Sequence, residues 1–68
     1  MNEELVCVYI TGKDYLSTLL RQILTDNDIE SYAINKQDSS YQFGDIEVYV
    51  HRDDVIRAKR IIAEFEAT

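Results

Sequence analysis

Between residues 5 and 65 the spacing of apolar side chains switches from every second residue to every third or fourth, and back again. A strand sends alternate side chains to opposite faces, whereas a helix gathers residues three and four apart into one stripe. LVCVYIT (5–11) is β-branched and aromatic and reads as a buried strand, with TGKD supplying the turn that follows. Tyr15, Leu16, Leu19, Leu20, Ile23 and Leu24 then recur at helical spacing. TDND ends that run, and Asn27 is expected to take the left-handed conformation that closes a helix. IESYAIN (29–35) reads as a second strand, and DIEVYVH (45–51) as a third with the cleanest alternation. Asp53 suits a helix N-cap, and Val55, Ala58, Ile61, Ile62 and Phe65 mark the stripe of a second helix. Asp53 with Arg57, and Arg60 with Glu64, are spaced as i,i+4 pairs on its wet side. The expected order is β-α-β-β-α.

That order has few compact solutions. A right-handed strand-helix-strand crossover makes strands 1 and 2 parallel, and strand 3 then fits between them, antiparallel to both. The expectation is an α+β fold with a three-stranded sheet in order 1-3-2 and two helices on one face. Val6, Val8, Ile10, Ile46, Val48 and Val50 are assigned to the helix side. Cys7, Tyr9, Glu47, Tyr49 and His51 are assigned to the other, joined by Ser31 and Ala33 if Tyr32 and Ile34 point inward. No further element remains to cover that second face, so aromatic rings and two sheet edges are left for association.

Length and charge narrow the classes. The 68 residues make one domain, 1–68, with 1–4 and 66–68 expected to fray. A chain this short buries only about 60% of its unfolded surface, and such domains recruit a disulfide, a metal or a second subunit. Cys7 has no partner cysteine and no Cys/His cluster suits zinc, which leaves a homodimer as the expectation. MNEEL lacks the basic and apolar regions of a signal peptide, and no apolar run approaches the ~20 residues of a membrane span. A cytoplasmic location with no membrane contact is expected. The net charge of −6, seven basic against thirteen acidic side chains, repels phosphate backbones, so nucleic acid is not an expected partner.

The residues that invite chemistry have simpler explanations. Cys7 and His51 are expected as neighbours on the open face, but a Cys-His nucleophile needs an orienting group, an oxyanion site and a pocket. None is recognisable, so no enzyme is expected. Asp53 and Asp54 beside His51 match helix capping better than a metal site, and no cofactor is implied. Arg52, Arg57, Lys59 and Arg60 read as a solvated helix face. Tyr9 and Tyr49 suggest base stacking, but Glu47 lies between them where such platforms carry positive charge. Tyr41 and Phe43 stand in the polar stretch NKQDSSYQFGD (35–45), either sealing the end of the sheet or touching a partner. The candidate surface is Cys7, Tyr9, Tyr41, Phe43, Glu47, Tyr49 and His51.

IESYAIN, the stretch after it and DIEVYVHRDDVIRAKRII resemble a small bacterial family described as putative prokaryotic signal transducing proteins, over roughly residues 5 to 65. Its members run strand, helix, GIEAxVxN-like strand, variable loop, then an IxVxVxxxDxxxAxxII-like strand and helix. Two departures are visible: the family's helix-ending Gly is Asp28, and its acidic-Ala pair on helix 1 is Leu16-Ser17. The resemblance implies a ferredoxin-like half-fold related in shape to the nitrogen-regulatory PII proteins. Their connection between strands 2 and 3 touches partners and carries a modifiable Tyr. Tyr41 lies in the corresponding, shorter connection, with no matching motif around it, so no modification is carried over. The shared motifs hold no catalytic residue. Two functions follow as expectations: a non-enzymatic regulatory or adaptor homodimer contacting an unidentified protein, or a sensor holding a small metabolite on the open face or at a subunit junction near Tyr9, Tyr49 and His51.

Overall fold

The β-branched and alternating segments pair as expected. In the computed structural model, which describes residues 4–36 and 45–67, the elements are β1 (Leu5–Thr11), α1 (Asp14–Asp26), β2 (Ser31–Asn35), β3 (Ile46–His51) and α2 (Val55–Ala67). The strands form one sheet in order β1-β3-β2, with β3 central and antiparallel to both neighbours. The fold is α+β.

The core lies between β3 and the two helices. Val48 and Val50 of β3, Leu20 and Leu24 of α1 and Ala58 of α2 have no solvent exposure, and Ile29 and Ile62 complete the cluster. Val8, Tyr9, Val55, Ile61 and Phe65 pack against it. The apolar sector of α1 is wider than its core needs. Leu20 and Leu24 are buried, Leu16 and Ile23 are half-buried, and Tyr15 and Leu19 are exposed. Ser17 fills a buried position and returns its hydroxyl to the Asp14 carbonyl at 2.8 Å.

Three local expectations are corrected. The residue with positive φ is Asp28 (φ 64), not Asn27 (φ −104). The Ile29 N–H donates to the Leu24 carbonyl and the Asp28 N–H to the Thr25 carbonyl, each at 2.9 Å, which is the Schellman arrangement with its left-handed residue one place after the cap. Leu24 and Ile29, the apolar pair that accompanies this motif, are both in the core. At the second helix, Asp53 is not a simple N-cap: a 3-10 turn, Arg52–Asp54, leads into α2. Arg57 pairs with Asp54 (3.3 Å) rather than Asp53 and donates to the Asn27 carbonyl at 2.8 Å, tying the end of α1 to the start of α2.

The third correction matters most. The register of β1 on β3 shifts between Cys7 and Tyr9, so Val8 is an extra residue opposite the β3 ladder. A bulge of one residue resets the alternation beyond it. Tyr9 pairs with Val48 and turns into the helix side, its ring edge-on to Phe65 at 5.9 Å, while Ile10 pairs with Glu47 and faces outward at 54% exposure. Tyr9 and Ile10 therefore exchange the faces assigned from simple parity.

Leu20→Ala removes a fully buried side chain, and the expected cost is about 2–5 kcal/mol in urea unfolding, a large share of the stability of so small a domain. Asp28→Gly relieves the left-handed backbone and should raise stability by roughly 0.5–1 kcal/mol in the same measurement.

Candidate functional site

Antiparallel partners share a face, so the register lays out the face away from the helices row by row. His51 sits beside Leu5, Tyr49 between Cys7 and Tyr32, and Glu47 between Ile10 and Ile34. On β2 it is Ser31 and Ala33 that lie on the helix side, paired with Val50 and Val48, while Tyr32 and Ile34 face out. The sequence alone allows either direction for Tyr32 and Ile34, and the register takes Ser31 and Ala33 off the open face. Leu5 (43% exposed), Ile10 (54%), Tyr32 (40%) and Ile34 (42%) leave this surface more apolar than the sequence reading had it.

The pattern is a polar file between two apolar rails. Glu47, Tyr49 and His51 run down the central strand; Leu5, Cys7 and Ile10 flank them on β1, and Tyr32 and Ile34 on β2. Strand spacing sets the rails about 10 Å apart. The central groups bond within the face. The Tyr49 hydroxyl donates to Glu47 Oε1 at 2.7 Å, and Lys36 Nζ lies 3.5 Å from the same oxygen. The Tyr32 hydroxyl is 3.2 Å from His51 Nε2 and 3.3 Å from Glu30 Oε1, and its ring stands edge-on to the imidazole at 5.5 Å. Another chain can cover a polar file bonded in this way without orphaning its donors and acceptors.

Of the seven candidate residues, Cys7, Glu47, Tyr49 and His51 share this face. Tyr9 belongs to the core side, and Tyr41 and Phe43 lie outside the described residues. Cys7 and His51 lie on the same face, one row apart on neighbouring strands. Cys7 stands opposite Tyr49 with its thiol directed to the Tyr9 carbonyl (3.7 Å), and the His51 ring turns the other way, to Tyr32 and Glu30. Among the described residues no group of three His, Cys, Asp or Glu is placed to hold a metal ion, and no helix is long and apolar enough to cross a membrane. Sequence reasoning missed Leu5, Ile10, Tyr32 and Ile34. Parity with Cys7 already turns Leu5 outward, whereas only the bulge reveals the direction of Ile10 and only the β2 register that of Tyr32 and Ile34.

The hydrogen bond to Glu47, followed by partial burial and the charge of the carboxylate, raises the Tyr49 phenol above its ordinary 10.0. A raised folded value means the native state holds that proton more tightly. The linked stability is present below about 10 and is lost as pH rises through the raised value. In an NMR titration of the five tyrosines Tyr49 should ionise later than an unperturbed phenol, and Glu47→Ala should bring it back toward the ordinary value. An unshifted midpoint for Tyr49 in the wild-type chain would show that the bond is not kept in solution.

Compared with known proteins, residues 5–66 match the family described as "Putative prokaryotic signal transducing protein". No curated protein and no solved structure gives a significant match. The match spans nearly the whole chain, from the first strand to the last helix, and the chain belongs to that family.

Proposed function

We propose that the protein is a non-enzymatic regulatory module that works as a homodimer and signals by offering its open sheet face to another protein. The observation that carries this reading is the pair of apolar rails, Leu5–Cys7–Ile10 and Tyr32–Ile34, flanking a self-bonded polar file. Aromatic and aliphatic side chains with satisfied polar neighbours are the composition of an interface core that is wet when alone and dry when covered. The family description supports a role in signalling.

Two measurements test the reading. Obligate association ties stability to protomer concentration, so the midpoint of thermal unfolding should rise with concentration and light scattering should report twice the chain mass. For the contact face, a pull-down from native lysate compares the wild-type chain with Tyr32→Ser/Ile34→Ser. Both side chains are partly exposed, so losing them, the Tyr32 contacts to His51 and Glu30 included, should lower the unfolding midpoint by only about 4–8 °C and leave the chain folded while the captured protein is lost. Equal capture by the two chains would remove the open face as the contact surface. Saturable NMR shifts on that face with amino acids or nucleotides, with no captured protein, would replace the adaptor by a small-metabolite sensor.

A further inference from the structure

A groove of about 510 Å³ runs along the outer side of the molecule between the rim of the sheet and α2. One wall is the consecutive run Cys7, Val8, Tyr9 and Ile10 of β1, the strand with which the sheet ends. The other is Lys59, Ile62, Ala63 and Glu66, a helical stripe at i, i+3, i+4 and i+7. Every second residue of a rim strand turns its backbone polar groups outward, and among the described residues no strand lies beyond β1. The opposite rim is different. Arg21 reaches from α1 to the start of β2, donating from Nε to the Ser31 hydroxyl and from Nη2 to the Ser31 carbonyl, both at 3.3 Å.

The stripe on α2 reads, in chain order, a cation, two apolar residues and an anion: Lys59, Ile62, Ala63, Glu66. That order is its own complement when reversed. If a second copy approaches antiparallel about a two-fold axis, Lys59 comes level with Glu66 of the partner subunit and Glu66 with the partner subunit's Lys59. At the axis the exposed Ala63 comes level with the outer edge of the partner subunit's Ile62, a core residue that keeps 7% of its surface exposed beside the groove. A two-fold interface demands this reciprocity, in which one patch serves both sides. Ala63 is small enough to let the helices approach. Ile56, 79% exposed, lies on the same side of α2 by its spacing to Lys59 and Ala63 and adds apolar area at the end of the contact.

We propose that this groove is the homodimer interface, with β1 lying antiparallel to the partner's β1 and α2 antiparallel to the partner's α2. The Val8 bulge sits at the middle of the run, so strand pairing is confined to short stretches on either side of it, and the helix pair supplies the rest. The two sheets then continue into one another, and the open faces lie side by side on the same surface. The proposal rests on the homodimer reading and names its surface, leaving the Tyr32–Ile34 rail of β2 free for the protein partner.

The charge order makes the test specific. Light scattering and sedimentation are run on the wild-type chain, on Lys59→Glu, on Glu66→Lys, on an equal mixture of those two, on the double variant, and on Ile34→Ser as an open-face control. Each single variant places like charges together twice across the axis and should weaken the dimer about tenfold or more. The mixture should recover a dimer, because the all-acidic stripe of one chain then faces the all-basic stripe of the other. The double variant, with both charges exchanged, should recover it too, and Ile34→Ser should dimerise like wild type. A wild-type chain that stays monomeric at high concentration overturns both this interface and the homodimer reading. A wild-type dimer indifferent to either charge reversal overturns the interface alone.

Discussion

Everything else in the molecule is placed by the seat of β3 between its two neighbours. Val48 and Val50 are sealed under the helices because both flanking strands pair with β3 and both helices lie on the same side of it. The same arrangement strips cover from Glu47, Tyr49 and His51. One side of the central strand makes the core and the other makes the candidate surface. A change that tilted β3 out of the middle would abolish both at once.

How much of this was legible depends on which strand is considered. In β3, Glu47 and His51 alternate with Ile46, Val48 and Val50, so its two faces could be told apart from residue type alone. In β1, Leu5 to Ile10 are apolar without a break, and nothing marks where the alternation resets. The bulge at Val8 was invisible for that reason, and with it the inward turn of Tyr9 and the outward turn of Ile10. In β2, Tyr32 and Ile34 suit either side, and only the pairing of Ser31 with Val50 decides between them. At the end of α1, Asn27 and Asp28 both tolerate positive φ. The choice fell to the one that lets Ile29 reach Leu24 and the core. The open face was thus legible as a surface and only half legible as a set of residues.

Polar groups at the rims and junctions are mostly spoken for. Arg57 bridges Asp54 and the Asn27 carbonyl, Arg21 holds the start of β2, and Arg52 bonds from its backbone N–H to the Glu4 carbonyl (3.0 Å) and from its side chain to the Glu4 carboxylate (3.4 Å). Lys36 closes the base of the connection between β2 and β3 with an N–H bond to the Asp45 carbonyl at 2.9 Å. Four of the seven cations, Lys36 through Glu47 among them, are therefore engaged at seams between elements, while Lys59 stands exposed on α2 with Glu66 two turns away. In an acidic chain, such a separated pair of opposite charges is the feature on which the proposed two-fold contact rests.

The extra residue in β1 stands apart from the ladder on either side of it. Leu5, Val6 and Cys7 face His51, Val50 and Tyr49, and Tyr9, Ile10 and Thr11 continue with Val48, Glu47 and Ile46 as though Val8 were not there. Excising that single codon would leave every remaining side chain of the strand on the face it holds now, at the loss of one valine from the edge of the core. Loss of one residue at this point of the chain is therefore cheap for the fold. Deleting Val6 or Ile10 with Val8 retained would turn part of the strand over instead, because the residues between the deletion and the bulge move by one place.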